Sequence, residues 1–355
     1  MEGIFIAKLE ICLKAMKNNV LNLKSNLGRY TKICAVVKAN AYGVGLEKVS
    51  KHLRNIVDYF AVARVYEAVK LRNYGIYSKI LILSPIVDER QILLAIKYNT
   101  ELTVNSLDEL EKINRVAINA GEIAKVHLKV DSGMNRFGVK NLYEFKEILE
   151  VANSCYNISV VGLFSHFAVS DEDSMNNQIQ EFEKYIRFCH KKRFYPLVHM
   201  ASSKQVSNRK CSYDMVRIGL NLYDNDDILT FSGTILEVKE LKKGEKLGYD
   251  QAFTANTSMT IACVDIGYAD ISVRKLSRTG QVLVNGKRCN IVGNVCMDCL
   301  FVDITDIDAH VGESVVLFGK QKENYISICE IAKGCDTINY DLLSSMSERV
   351  KRIYK

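Results

Sequence analysis

The sequence predicts an α/β protein in two parts, a (β/α)8 TIM-type barrel over residues 1–228 followed by a mostly β-strand domain over residues 229–355. Three observations carry this expectation. From residue 30 to about 220, short apolar strands alternate with longer stretches of helical period, the signature of strand–helix units around a parallel sheet. After Asp224-Asn225-Asp226-Asp227 the texture changes to strands and turns with Gly and Asn. The chain of 355 residues also exceeds the size at which a single core stops growing.

The first strand, Ile33 to Val37, is apolar throughout, as a strand covered on both faces must be. Seven further strands are expected at Tyr59 to Ala63, Lys79 to Leu83, Leu102 to Asn105, Val126 to Val130, Val160 to Phe164, Leu197 to Met200 and Met215 to Arg217. Together they make the eight that close a barrel. Between them, Ser106 to Ala120 opens with Ser106 and Glu109 at capping-box spacing before Leu110 and Ile113. The stretches Asn141 to Ala152 and Gln178 to Lys191 repeat apolar residues at three and four positions, which is helical. In the second part, Lys243-Gly244-Glu245 marks a turn and Val284-Asn285-Gly286-Lys287 a hairpin, with a short helical piece near Ser344.

Composition narrows the function classes. The formal charge of +7 is spread along the chain and rarely gathers into a run, which argues against nucleic acid as a partner and suits anionic cofactors or substrates. Eleven cysteines without regular spacing point to a reducing compartment instead of a disulfide framework. Cys296-Met297-Asp298-Cys299 is a CxxC pair, but no second pair accompanies it to complete a metal site. The segment from Met1 to Lys8 carries acid and base too early for a secretory signal, and no apolar run approaches the ~18 residues a membrane helix needs. A cytoplasmic chain with no membrane partner is expected.

Chemistry is expected at one rim. The apolar run Ala35-Val36-Val37 ends on Lys38, within Lys38-Ala39-Asn40-Ala41-Tyr42-Gly43, and lysine is rarely buried without a partner or a chemical task. Lys129 and Arg136 bracket the end of the fifth strand, His166 follows the sixth, Ser203 the seventh and Gly219 the eighth. In a parallel barrel those ends share one rim, where such enzymes keep their sites. A desolvated lysine amine has a lowered pKa and can attack an aldehyde cofactor. A lysine that merely lays its stem along an apolar rim is the alternative for Lys38 alone.

Six ordered blocks lift the reading beyond single residues. They are Lys129-Val130-Asp131-Ser132-Gly133-Met134-Asn135-Arg136-Phe137-Gly138, Phe164-Ser165-His166-Phe167 and Val216-Arg217-Ile218-Gly219-Leu220-Asn221-Leu222-Tyr223, then Asp265-Ile266-Gly267-Tyr268-Ala269-Asp270, Gly293-Asn294-Val295-Cys296-Met297-Asp298 and Arg349-Val350-Lys351-Arg352-Ile353-Tyr354. With the Lys38 block, these make the chain resemble the alanine racemase family, pyridoxal phosphate enzymes, over essentially its whole length.

The resemblance implies roles. Lys38 corresponds to the Schiff-base lysine and serves as base on one face of the substrate's alpha carbon, and Tyr268 serves the opposite face. Because the family builds its site from the barrel of one chain and the C-terminal domain of its neighbour, a head-to-tail homodimer is implied. Tyrosine is a poor base at its ordinary pKa near ~10, so it needs polar neighbours, for which His166 and Arg217 stand. Arg217 also faces the pyridine nitrogen. Arg136 and the backbone of Met297 bind the substrate carboxylate, and Lys129 is the position that many members carbamylate. Tyr42, Ser203, Gly219, Leu220 and Tyr354 hold the phosphate.

The chain departs from the usual pattern at Val44, Ser202, Ile271, Asn294 and Lys351, which bears on pocket shape and substrate preference. The activity implied is interconversion of L- and D-alanine for peptidoglycan. The alternatives are a serine or broader racemase, a barrel decarboxylase of diamino acids with the same cofactor, and a non-catalytic pyridoxal phosphate-binding protein.

Overall fold

A computed structural model describes residues 7–206, 208–223 and 227–355. The segment Met1 to Ile6, where the targeting expectation begins, and Asp224 to Asp226, where the change of texture is read, lie outside these residues. The chain forms two compact units. One comprises Lys17–Ala41 and Leu46–Leu222. The other holds residues 227–355 with Tyr223, residues 7–16 and Tyr42–Gly45.

In chain order, β1 is Lys8–Ile11, followed by β2 (Lys32–Val36), β3 (Tyr59–Val62), β4 (Lys79–Ile82), β5 (Glu101–Val104), β6 (Ala124–Lys129), β7 (Ile158–Phe164), β8 (Leu197–Ser202) and β9 (Met215–Ile218). Strands β2 to β9 form a closed parallel barrel in sequence order, sealed where Lys32 to Ala35 pair with Met215 to Ile218. These are the eight expected strands, with ends shifted by one or two residues. β3 and β5 are buried at every position, as expected for strands between a packed interior and a helical coat.

The expected helices are present as Leu107–Ala120, Leu142–Ser154 and Glu172–Lys191. Ser106 caps the first by accepting from the Glu109 N–H at 3.3 Å. Glu109 reaches past Ser106, however, and accepts from the Asn105 backbone and side chain at 2.8 and 2.9 Å, so the reciprocal half of the capping box is displaced by one residue.

The second unit is built on β10 (Leu229–Leu241), β11 (Lys246–Leu247), β12 (Phe253–Thr254), β13 (Met259–Val264), β14 (Gln281–Val284), β15 (Lys287–Val292), β16 (Leu300–Asp303), β17 (Ser314–Gln321), β18 (Asn324–Ile326) and β19 (Lys351–Tyr354). Nine strands, including β1, form one sheet in the order β18-β17-β14-β15-β16-β13-β10-β1-β19. Asn285 and Gly286, both at positive φ, turn β14 into β15 with Val284 opposite Lys287, the hairpin that Asn-Gly predicts. The helical piece near Ser344 is the helix Asn339–Ser344, preceded by Ile328–Gly334. Strand β1 pairs with β10 on one side and in parallel with β19 on the other, so the first described strand is part of this sheet. Among the described residues no helix is long and apolar enough to cross a membrane.

Candidate active site at the barrel rim

Lys38 stands two residues beyond β2 and opens a turn that few sequences tolerate. Ala39, Asn40, Ala41 and Tyr42 all hold positive φ, between 51° and 56°, without a glycine among them. Left-handed backbone costs an L-residue roughly 1–2 kcal/mol, so neighbours must hold the turn. The Asn40 side chain accepts from the Leu46 N–H at 2.8 Å, and the buried Glu67 carboxylate accepts from the Ala39 N–H at 2.6 Å. Burial, then the nearby Arg136 charge, lowers the Lys38 pKa, with Glu67 opposing. The amine is therefore more readily neutral than a surface lysine.

Arg217, near the end of β9, is 4% exposed. It donates from one terminal nitrogen to His199 Nδ1 at 2.5 Å, and from the other to Ser165 O at 2.7 Å, Met200 O at 3.1 Å and His166 Nδ1 at 3.3 Å. Because a guanidinium only donates, these bonds fix the tautomers beyond it. His199 must carry its proton on Nε2 and donate to His127 Nδ1 at 3.0 Å, and His127 Nε2 in turn donates to Glu101 at 2.7 Å. A buried relay thus runs from β9 through β8 and β6 to β5. Gly162 makes room for it, since a Cβ there would lie 2.0 Å from His127 Nδ1.

The rim carries more positive than negative charge. Lys129, the last residue of β6, is pulled down to about 7 by burial and then by Arg217 and Arg136. His166 is pushed down to about 3 by burial first and then by Arg217, so it is a neutral imidazole. Burial lowers Arg217 itself to about 10. Among the described residues no carboxylate reaches its guanidinium, and an uncompensated buried charge is costly. Such a site suits an anionic ligand.

The turn after β6 places Arg136. Asp131 accepts from the Gly133 and Asn135 N–H groups at 2.9 and 3.0 Å, and Gly138 takes φ +115°, where a Cβ would meet the Asp131 nitrogen at 2.7 Å. Arg136 itself is exposed. After β8, the Ser203 hydroxyl accepts from the Gly219 and Asn221 N–H groups at 2.9 and 3.2 Å. Two backbone donors thus converge on one point, a geometry that suits a phosphate oxygen. Asn221 was not singled out by the sequence, whereas Leu220 opens the short turn between the two donors.

In the second unit, Tyr268 lies on a loop braced by the Cys-Met-Asp segment. Its N–H donates to Cys296 O at 3.0 Å, and Ala269 donates to Met297 O at 3.0 Å. Gly267 permits this approach, since a Cβ there would stand 2.0 Å from Met297 O. Asp270 accepts from the Gly267 N–H at 2.9 Å, and Arg349 bridges Asp270 and Asp298 at 3.4 and 2.8 Å. Three blocks of the sequence pattern therefore serve to fix one loop, with Tyr268 and Met297 both exposed on it. The Arg274 guanidinium lies 5.9 Å from the Tyr268 ring centroid, a cationic neighbour that spacing did not suggest.

Tyr354 donates to Val44 O at 2.8 Å and packs so close to Gly45 that a Cβ there would lie 1.9 Å from its hydroxyl. Tyr42 packs its ring against Tyr223 and Tyr340. The departures are accommodated: Val44 and Ile271 are buried, and the Ser202 hydroxyl bonds Gln205 at 2.7 Å. Asn294 O accepts from the Cys296 thiol at 3.6 Å, and Lys351 lies in β19 opposite Lys8.

Comparison with known proteins decides between the families that use such a rim. Residues 11–226 match the family described as alanine racemase, N-terminal domain, and residues 228–354 match alanine racemase, C-terminal domain. The chain belongs to the alanine racemase family. The alanine racemase of Halothermothrix orenii is 36% identical over 98% of this chain and 96% of its own. Alanine racemase 1 of Caldanaerobacter subterraneus is 33% identical over 99% and 96%. Among solved structures, alanine racemase of Clostridium difficile 630 superposes with a TM-score of 0.92 at 34% identity, covering 99% of this chain and 96% of that one. The Bacillus anthracis alanine racemase with bound L-Ala-P gives 0.92 at 31% identity, covering 100% and 96%. Membership implies pyridoxal phosphate as cofactor. The donor set fits it: a desolvated amine for an aldehyde, converging N–H groups for a phosphate, and a buried cation that no carboxylate among the described residues reaches.

Proposed function

We propose that this chain interconverts L- and D-alanine with pyridoxal phosphate held on Lys38, in a homodimer whose partner subunit supplies the second base. The observation that carries this reading is the convergence of Lys38, Lys129, His166, Ser203 and Arg217 on one barrel rim, in a chain that matches the family over both domains. When bound, the cofactor supplies an aldehyde for the amine and a ring that takes up electron density from the alpha carbon.

The chain's own residues then divide the work. The Lys38 amine, kept readily neutral by burial, takes or returns the proton on one face. Tyr268 of the partner subunit does so on the other. Arg217 can neither accept a proton nor readily lose one, so beside a ring nitrogen it would only donate a hydrogen bond and would supply no proton, which would make the ring a weaker electron sink. That limits protonation at wrong atoms. Arg136 orients the substrate carboxylate, joined by the backbone of Met297 of the partner subunit. Tyr42, Ser203, Gly219, Leu220 and Tyr354 take the phosphate, and neutral His166 bonds without adding charge. D-alanine so made serves peptidoglycan synthesis, the use the family implies.

Lys129 fits a carbamate. With its pKa near 7, a large fraction is neutral amine at physiological pH, the form that adds carbon dioxide. The resulting anion turns repulsion from Arg136 and Arg217 into attraction. Protein equilibrated with 13C-bicarbonate should show a protein-bound carbamate resonance that Lys129→Ala lacks. Its persistence in that variant would assign the carbamate elsewhere.

The cofactor assignment is read from a visible absorbance band that borohydride abolishes, with the reduced adduct mapped to Lys38 by peptide mass. An adduct on any other lysine overturns it. Purified protein should turn over L-alanine faster than L-serine. The two differ by one hydroxyl, which a pocket rejects only weakly, so a clear excess for serine would instead make this a serine racemase.

A further inference from the structure

We propose that Glu67 is a positioning residue for Lys38, its buried carboxylate fixing the left-handed turn that the lysine opens. The inference rests on the assignment of Lys38 above. Glu67 lies in the first turn of the helix Val65–Asn73 and is 3% exposed. Its Oε2 accepts from the Ala63 and Arg64 N–H groups, each at 2.9 Å. That much is a helix cap, and one oxygen provides it. Oε1 reaches back 28 residues to accept from the Ala39 N–H at 2.6 Å.

The second bond falls where restraint matters. Ala39 is the first of four consecutive non-glycine residues at positive φ, a conformation that persists only when the surroundings over-determine it. The Ala39 N–H belongs to the peptide unit joining Lys38 to Ala39, so holding it sets the direction in which the lysine leaves the strand. Glu67 also acts on the amine through charge. Among the described residues the charged groups that reach Lys38 are Arg136, which disfavours its protonated form, and Glu67, which favours it. One carboxylate thus ties the backbone at Lys38 to the neighbouring strand–helix turn and moderates the basicity of its side chain.

A helix cap alone would leave Lys38 untouched. The test uses the full-length chain in three forms: wild type, Glu67→Gln and Glu67→Asp. Competitive acetylation of Lys38 across pH, on protein stripped of cofactor and read by peptide mass, gives the midpoint of its ionisation. Amide exchange of the peptide spanning 38–42 reads the turn. Glu67→Gln should move the midpoint to lower pH and speed exchange at Ala39. In the loaded enzyme it should lower kcat about tenfold or more with little change in KM, as a misplaced reacting group does. Glu67→Asp, one methylene shorter, should keep the midpoint near wild type but still speed exchange.

An unchanged midpoint and unchanged Ala39 exchange in Glu67→Gln, with only the helix 65–73 loosened, would leave Glu67 a cap and overturn the proposal. If Glu67→Gln does not fold, the exchange of Glu67→Asp decides: faster supports, unchanged overturns. Mapping of the borohydride adduct to a different lysine would instead sink the cofactor assignment, while the coupling of Glu67 to Lys38 would still be read directly.

Discussion

Co-expressing Lys38→Ala and Tyr268→Phe chains should restore racemisation to about a quarter of wild type, although each variant alone should be nearly inactive. In a head-to-tail dimer each site takes Lys38 from one chain and Tyr268 from the other. Random pairing makes half the dimers mixed, and in each mixed dimer one site carries both substitutions and the other carries neither, hence about a quarter. Sites built within single chains would give no recovery. Each homodimer should fall by roughly 10²–10⁴-fold or more, the usual contribution of a positioned acid–base group.

The Tyr268→Phe homodimer adds a second readout. Lys38 remains, so exchange of the alpha proton with deuterated solvent should persist for one enantiomer of alanine and vanish for the other. Persistence for both would show that the phenol is not the opposing base. Phe keeps the ring that packs under Arg274 and leaves the backbone bonds to Cys296 intact, so the loop should hold its place.

The barrel was legible because its strands carry their own signal. A strand buried on both faces must be apolar nearly throughout, and β2, β3 and β4 read that way, so their positions follow from composition alone. β1 and β19 carry no such signal. Lys8-Leu9-Glu10-Ile11 alternates charged and apolar residues over only four positions, Lys351-Arg352-Ile353-Tyr354 does not alternate at all, and what makes them strands is pairing across more than three hundred residues of chain.

The candidate site could be read where chemistry restricts the residue type, as in the roles proposed for Lys38, Arg217 and Tyr268. It was not legible where a side chain acts through another. Glu101, His127 and His199 are polar residues in barrel strands, which is a signal of sorts, but nothing in their spacing says that they form one relay behind Arg217. The role of Gly267 is likewise set by a carbonyl thirty residues away, at Met297.

Replacing Arg217 by Met should cost racemisation roughly 10²–10³-fold, the loss typical of one preorganised electrostatic group. Met preserves much of the length and volume but removes every donor. His199 Nδ1, Ser165 O and Met200 O then lose their partner, at about 1–3 kcal/mol for each buried group left unpaired. Against this stands relief from burying a charge that no carboxylate among the described residues touches, so the net stability change is smaller than those losses summed.

The pH dependence separates the two effects. In the native protein His166 titrates near 3 against its ordinary 6.5. Between those values the unfolded chain binds a proton that the native one does not, so stability is fully present above 6.5 and falls as pH drops toward 3, by up to ~1.4 kcal/mol per pH unit. Removing Arg217 removes the second cause of that depression while burial, the first, remains. His166 therefore protonates at higher pH in the variant, and acid destabilises it over a narrower window. Lys129, near 7 against 10.5, behaves in the same sense, its stability contribution rising with pH across that interval and the interval shrinking from below in the variant. Urea unfolding at fixed protein concentration across this range measures both. An acid limb extending to as low a pH in Arg217→Met as in wild type would mean that burial alone holds His166 neutral, and that the guanidinium's place beside it matters only for the bound ring.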